Sequence, residues 1–259
     1  MDSVIKGSHY IFTRPMLAAW ASCCILFGIS IGFVGVSQGW IRLGSDTNPD
    51  KAHAGKEHSG SKDEHSASQA VVERIMASKA AQECINNPED WKRVPYFWPP
   101  IGETRKTAFV PDTVLGHEKL SVEPVIFMNR DRKSFVVLVH LGKNLNGHEG
   151  IVHGGVQATL FDEITARPAF WNLPRNIGFT ATLKVNYRRP VVVDQVLVFR
   201  TQLLSLDGRK AQVAAQLEDT RGNLLSDAEA LYVSPKEYES LPDHSAEIAK
   251  AENTYPGSF

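Results

Sequence analysis

The longest apolar run of the chain lies near its start, between Met16 and Val36, and reads MLAAWASCCILFGISIGFVGV without a charged residue. A helix of about 20 apolar residues is long enough to cross the hydrocarbon core of a bilayer. The alternative, a cleaved signal peptide, usually has a shorter apolar core and a small-residue cleavage site, which the segment after Val36 lacks. The pattern predicts a retained transmembrane helix at 16–36 behind an N-terminal segment at 1–15, with its orientation left open.

A polar segment follows at 37–69, composed mainly of Gly, Ser, His, Lys, Asp and Glu. Such a segment buries too little apolar surface to fold, so we expect a disordered linker that tethers a domain to the membrane. Its three histidines, His53, His58 and His65, have irregular spacing. We interpret them as solvated side chains rather than metal ligands.

Residues 70–100 combine a helical pattern with an aromatic arm. Apolar residues recur at helical spacing from Ala70 to Ile85, and Ser68 is a candidate N-cap. The stretch from Trp91 to Pro100 is aromatic and broken by prolines. An aromatic ligand box is one interpretation, but packing of an arm onto a core is the more usual role of such a stretch.

Strand and helix patterns alternate through 101–233. Val122–Met128 and Ser134–Leu141 are rich in β-branched and aromatic residues and predict a hairpin. A helix is expected from Gly154 to about Arg167, with Pro168 ending or kinking it. Four further strands are predicted at Gly178–Tyr187, Val191–Leu204, Lys210–Asp219 and Asn223–Val233. One central helix among about six strands in sequential, mostly antiparallel connection is an α+β architecture, followed by a short polar tail at 234–259.

Composition narrows the classes of function. The formal net charge of -1 and the sequence pI near 6.8 exert no general attraction for nucleic acid or anionic lipid. The three cysteines, two of them adjacent in the apolar run, have neither a disulfide framework nor a metal-site spacing. We therefore expect no nucleic-acid partner and no metal.

Candidate chemistry is concentrated between Gly147 and Asp162. His153-Gly154-Gly155 leads into the predicted central helix, whose N-terminus offers backbone N–H donors. Asp162 follows on the same helix among apolar neighbours, where an acid is costly unless it has a partner or a function. Donors for an oxygen atom together with a carboxylate suit a reaction at an electrophilic carbonyl.

The helix geometry separates these two groups. Seven residues from Gly155 to Asp162 rise by roughly 10 Å, whereas a reacting carbonyl needs its donor and its base within about 3 to 3.5 Å. One chain cannot apply both groups to one carbonyl. Two antiparallel copies of the helix around a two-fold axis would bring each Asp162 near the Gly155 of the other copy, which predicts a dimer with two composite sites.

Three segments together resemble the hotdog-fold acyl-CoA thioesterases of the PaaI-like and THEM-type branch. They are Gly150–Gly155 through Asp162, Thr180–Pro190 (TATLKVNYRRP) and Asp207–Lys210 (DGRK), and the similarity extends from about Asp90 to Val233. It implies a hotdog fold, in which an antiparallel sheet wraps around a central helix, and a dimer or dimer of dimers. It also implies hydrolysis of the thioester of an acyl-CoA, without a cofactor.

The resemblance assigns roles to individual residues. Gly155 would donate its N–H to the thioester oxygen, His153 would orient the turn, and Asp162 would act as general base or nucleophile. Thr180 would position the attacking water, or be an ordinary strand residue. The substrate-binding candidates are Asn146, Gly154, Arg188, Arg189, Arg209 and Lys210; for the four basic residues a solvated surface is the alternative. His140 and His148 are interpreted as structural, and Glu163, which points about 100° away from Asp162 around the helix, is a weaker catalytic candidate.

Two alternatives to a membrane-anchored thioesterase remain open. One is a non-catalytic hotdog module that binds acyl-CoA or acts as a dimeric scaffold at a membrane; the other, less well supported, is a hotdog hydratase or dehydratase. A retained N-terminal span fits the mitochondrial inner membrane or the endoplasmic reticulum. The resemblance favours the mitochondrion.

Overall fold

The computed structural model describes residues 62–96 and 108–255. The predicted transmembrane helix at 16–36 and most of the predicted linker lie outside these residues. Within the described ranges, none of the helices combines the length and the apolar composition that crossing a bilayer requires.

Two helices precede the sheet, α1 (Lys62–Met76) and α2 (Lys79–Ile85). The prediction of linker up to residue 69 and one helix from residue 70 is wrong on both counts, since α1 begins at Lys62 and the helical run breaks after Met76. The cap is also different: Ser78, not Ser68, is the N-cap of α2, and its hydroxyl accepts a hydrogen bond from the Ala81 N–H. Polar residues with adequate helix propensity extend α1 toward the N-terminus.

A seven-stranded antiparallel sheet forms the centre of the domain. Its strands are β1 (Trp91–Val94), β2 (Val125–Asn129), β3 (Ser134–Leu141), β6 (Phe179–Tyr187), β7 (Gln195–Asp207), β8 (Lys210–Asp219) and β9 (Leu224–Val233), arranged in the order β1-β2-β3-β7-β8-β9-β6. A separate hairpin joins β4 (Asn146–His148) and β5 (Ile151–Val152).

One expectation about the sheet is confirmed and two change. The predicted hairpin is confirmed as β2 and β3, but the start of the predicted aromatic arm is a further strand, β1, because Trp91–Val94 pairs with β2. The connection is not sequential either, since β6 pairs with β9 at the far edge rather than with β7. The chain crosses the sheet between β6 and β7, so the sheet order depends on contacts between residues far apart in sequence.

The central helix is α3 (Gly154–Asn172), which packs across one face of the sheet. Phe161 of α3 meets Phe199 of β7 edge to face, with ring centroids 5.1 Å apart. Pro168 does not end this helix, which excludes one of the two outcomes predicted for it. It is buried inside the helix, and the helix ends only after Asn172. Burial of the last turn, including Ala169 and Trp171, offsets the missing N–H of the proline.

The opposite face of the sheet is covered by α1 and α2, through Ile75, Ala81 and Cys84 against β2, β3 and β7. The predicted tail also differs from expectation, because it contains α4 (Ser245–Glu252). Ile248 of α4 is buried in the main core, and Glu252 accepts a hydrogen bond from the Trp171 indole at 3.1 Å. Two apolar residues three positions apart, Ile248 and Ala251, give this short helix a face to bury.

Candidate active site

His153 is the N-cap of α3. Its Nδ1 atom accepts a hydrogen bond of 2.8 Å from the Gly155 N–H. A Cβ atom added at Gly155 would lie 2.9 Å from the same Nδ1 atom, so the close approach of the ring depends on glycine. The structure therefore gives the Gly155 N–H a partner other than the thioester oxygen that the sequence predicted for it. The reason is local: a capping side chain satisfies a donor that the helix itself leaves without an acceptor.

Gly154, the first residue of α3, presents the neighbouring backbone donor. No described residue accepts a hydrogen bond from its N–H. Its carbonyl accepts one of 2.9 Å from the Tyr187 hydroxyl. A Cβ at Gly154 would lie 3.4 Å from the Tyr187 ring, which is ordinary van der Waals contact. Tyr187 thus lies against the start of the helix, at the end of β6.

The β4–β5 hairpin and Leu145, the residue just before it, also contact this turn. The His153 N–H donates to the Leu145 carbonyl at 2.8 Å, and a Cβ at Gly147 would lie 2.9 Å from the His153 Cα. Asn146, predicted to contact substrate, is exposed at the beginning of this hairpin. The hairpin therefore fixes the backbone of the turn and leaves Asn146 beside it.

Asp162 lies two turns further along α3, where the helix faces β6 and β9. Its Oδ1 atom accepts a hydrogen bond of 2.8 Å from the Thr180 hydroxyl. The Tyr232 hydroxyl donates to the Asp162 carbonyl at 2.6 Å and lies 3.4 Å from Oδ1. Thr180 thus contacts the carboxylate itself, whereas the resemblance implied that it would position the attacking water.

The Gly154 N–H and the Asp162 carboxylate lie on one helix but are separated along its axis. The eight residues from Gly154 to Asp162 correspond to a rise of about 12 Å. The described chain therefore presents a backbone donor and a carboxylate as separate half-sites. No group of three or more His, Cys, Asp or Glu residues in the described ranges is arranged to hold a metal.

Part of the chain matches a known protein family. Residues 149–226, which contain both half-sites, match the thioesterase superfamily. The resemblance to thioesterases that the sequence predicted is therefore confirmed over these residues.

Similar proteins include the rat acyl-coenzyme A thioesterase THEM4, which is 28% identical over 178 residues, or 62% of this chain and 75% of the rat protein. FMP10 of Saccharomyces cerevisiae, described as an uncharacterized mitochondrial membrane protein, is 32% identical over 106 residues, or 40% of this chain and 43% of the yeast protein. The crystal structure of mouse thioesterase superfamily member 2 is 18% identical with a TM-score of 0.37, covering 40% of this chain and 82% of the mouse chain.

The four basic residues predicted to bind substrate do not form one cluster. The Arg188 and Arg189 N–H groups both donate to the Leu225 carbonyl at the start of β9, whereas Lys210 pairs with Val233 at its end and Arg209 donates to the Ser234 carbonyl. The two ends of β9 are separated by roughly 30 Å, at about 3.3 Å per residue. Arg188 is also ion-paired with Asp227, and its guanidinium lowers the pKa of that carboxyl below the usual range.

The remaining acid and histidines have other partners. Glu163 lies 3.9 Å from the guanidinium of the buried Arg167. His140 is buried on the α1 side of the sheet, with Nδ1 2.9 Å from the Ser121 hydroxyl. Burial lowers the pKa of His140, with the charge of Arg74 acting in the same direction. His148 is exposed in β4.

Two tyrosines at the half-sites were not predicted to have a role. Tyr187 belongs to the segment that carried the family resemblance, and its position just before Arg188-Arg189-Pro190 was the available signal. Tyr232 had no such signal. It reaches Asp162 because β9 pairs with β6 in a register that places Tyr232 directly opposite Thr180, and sequence patterns do not specify that register.

Proposed function

We propose that this protein is an acyl-CoA thioesterase whose active sites are each assembled from two copies of the chain. The proposal is carried by one observation: a backbone donor at Gly154 and a Thr180-anchored carboxylate at Asp162 lie on one helix but too far apart for one substrate. The family match and the likeness to a protein named acyl-coenzyme A thioesterase support the reaction class.

The exposed edge strand β6 supports the dimer. It forms one end of the sheet order, and most of its side chains are exposed, including Phe179 and Tyr187. An unpaired edge strand is a template for pairing with another strand. Antiparallel pairing of β6 with its own copy around a two-fold axis between Leu183 and Lys184 would place Thr180 near Tyr187 of the partner subunit.

This pairing would join the half-sites. Asp162 lies beside Thr180, and Gly154 lies beside Tyr187. Each Asp162 would therefore come near Gly154 of the partner subunit. The same symmetry would bring Arg188 and Arg189 of one subunit to the side occupied by Arg209 and Lys210 of the other, so that two basic pairs flank one site and can bind the phosphates of CoA.

The chemistry follows from these positions. The Gly154 N–H stabilises the negative charge that develops on the thioester oxygen. As a general base, Asp162 takes a proton from a water molecule while the water oxygen bonds to the thioester carbon. The C–S bond then breaks, and the CoA thiolate accepts a proton as it leaves. Attack by the carboxylate itself, through an anhydride that water then hydrolyses, uses the same groups.

Location is part of the proposal. We infer a mitochondrial protein anchored through residues 16–36, because that stretch is long enough to span a membrane and because similar proteins carry mitochondrial names. Fluorescent tagging of the C-terminus combined with protease protection tests the compartment and the side of the membrane together. Labelling of the endoplasmic reticulum would contradict the inference.

The test of function is hydrolysis of a panel of acyl-CoAs by the full-length chain and its Asp162→Asn variant, with Glu163→Gln as the matched control. We expect turnover by the wild-type and control proteins and a fall in kcat of at least about a hundredfold in Asp162→Asn. Equal rates in Asp162→Asn and wild type would remove Asp162 from the mechanism. Tight binding of acyl-CoA without turnover by the wild-type protein would favour a binding module instead.

A further inference from the structure

Tyr232 connects the sheet to the part of α3 that carries Asp162. Its side chain is only 1% exposed, and its hydroxyl faces three oxygen atoms. It donates to the Asp162 carbonyl at 2.6 Å and lies 3.4 Å from Asp162 Oδ1 and 2.9 Å from the Thr165 hydroxyl. The ring of Phe170 meets the tyrosine ring edge to face at 5.6 Å and restricts its rotation.

The register of two strands explains why Tyr232 and Thr180 approach the same oxygen atom. They are direct partners in the β6–β9 pair, and directly opposite residues project from the same face of a sheet. Both hydroxyls therefore point toward α3, and both are near Oδ1 of Asp162. No described residue donates a hydrogen bond to Oδ2.

The number of hydroxyl protons decides the direction of these hydrogen bonds. Tyr232 has a single hydroxyl proton, which it donates to the Asp162 carbonyl at 2.6 Å, so its oxygen accepts in the contact with Thr165. The Thr165 proton is shared between that oxygen and the Phe161 carbonyl at 2.6 Å. Burial raises the pKa of Tyr232 above its ordinary value, and the negative charge of Asp162 acts in the same direction. The tyrosine consequently keeps its proton and remains a donor throughout the working pH range.

We propose that Tyr232 is a positioning residue which, with Thr165, holds this turn of α3 so that Oδ1 of Asp162 is kept on Thr180 and Oδ2 faces the substrate. The inference rests on the proposed thioesterase function. It assigns different tasks to the two carboxylate oxygens: Oδ1 anchors the group, and Oδ2 takes the proton or attacks the carbonyl. A carboxylate with one fixed oxygen needs less reorganisation in the transition state.

The test uses the full-length chain and removes one oxygen atom at a time. Tyr232→Phe removes the hydroxyl and keeps the ring. Tyr238→Phe is the matched control, because the Tyr238 hydroxyl has no hydrogen bond within the described residues. We expect kcat to fall roughly tenfold in Tyr232→Phe with KM within about twofold of wild type, and no change in Tyr238→Phe.

Substitutions of Thr165 separate positioning from stability. Thr165→Val removes the hydroxyl with little change in shape and should lower kcat, whereas Thr165→Ser keeps the hydroxyl and should restore it. Loss of packing alone would affect both variants, or would appear in thermal unfolding without a selective change in kcat. Equal kcat in the Val and Ser variants would overturn the role of Thr165.

A crystal structure of Tyr232→Phe provides a readout that does not require turnover. We expect the 2.8 Å contact between Thr180 and Asp162 Oδ1 to be lost or split between conformers. An unchanged contact together with wild-type kcat would overturn the proposal while leaving the thioesterase function intact. Absence of hydrolysis in the wild-type protein would instead refute the proposed function, and the crystal structure would still decide whether Tyr232 positions Asp162.

Discussion

Replacing Gly154 by proline removes the backbone N–H that we propose as the oxyanion donor and should leave helix α3 intact. Gly154 is the first residue of α3, where proline is favoured because its fixed φ suits the helix and its N–H is not needed. The preceding residue, His153, has φ -58° and ψ 133°, which is the extended region that a residue before proline adopts. The N–H that is lost has no acceptor among the described residues.

The expected effects on stability and on catalysis are therefore very different. The free energy of unfolding should change by less than about 1 kcal/mol, since no hydrogen bond within the described chain is broken. If this N–H stabilises the thioester oxyanion, its loss costs about 2.7 to 4 kcal/mol of transition-state stabilisation, or roughly a hundred- to a thousandfold in kcat. The catalytic effect exceeds the effect on stability by a wide margin.

The assay is release of the free CoA thiol at saturating acyl-CoA, with thermal unfolding measured on the same samples. Gly154→Ala is the matched control, because it adds a Cβ only 3.4 Å from the Tyr187 ring and keeps the N–H. The reasoning predicts a large loss in the proline variant and a small one in the alanine variant. A Gly154→Pro protein whose kcat equals that of Gly154→Ala would refute the assignment of the Gly154 N–H as the donor and would favour the Gly155 N–H.

Three further predictions concern single side chains. Thr180→Val should lower kcat roughly tenfold, because an exposed hydrogen bond to a carboxylate contributes about 1.5 kcal/mol; Thr182→Val on the same strand is the control, and equal effects would contradict the role of Thr180. His153→Ala should remove about 1 kcal/mol of capping and lower Tm by about 2–4 °C, measured by calorimetry against His148→Ala, whose Tm should not change. Burial lowers the pKa of His140 from 6.5, so the unfolded chain binds more protons and the free energy of unfolding should fall as pH decreases below 6.5. Denaturant titrations of wild type and His140→Gln at pH 7.5 and 5.5 measure this fall, which should be smaller in the variant. An equal fall in both proteins would refute this explanation.

Local patterns predicted most of the elements in this fold. The β-branched hairpin arms gave β2 and β3, and the run from Lys210 to Asp219 gave β8 with the observed bounds. Helical spacing after His153-Gly154-Gly155 gave α3 and its start. Each of these depends on residues close together in the sequence, where periodicity carries the information.

The features that were missed depend on contacts between distant residues. Pro168 stays inside α3 because the surrounding core is buried, and β6 lies at the edge of the sheet because it pairs with β9. In the candidate site, too, the local pattern predicted some features, and contacts in the folded chain decided the others. The motif indicated His153, Asp162 and the two glycines, with Gly155 as the donor. Which of Gly154 and Gly155 has the free N–H depends on the orientation of the His153 ring. The contact of Tyr232 with Asp162 likewise follows from a strand register rather than from a local pattern.

A heterodimer of two inactive chains tests the central claim most directly. One subunit carries Asp162→Asn and the other Gly154→Pro, with different affinity tags so that the mixed dimer can be purified. If each site combines Gly154 of one subunit with Asp162 of the other, the heterodimer has one intact site and one doubly altered site, and should have about half the wild-type kcat per dimer. A heterodimer no more active than either variant homodimer would contradict the shared site.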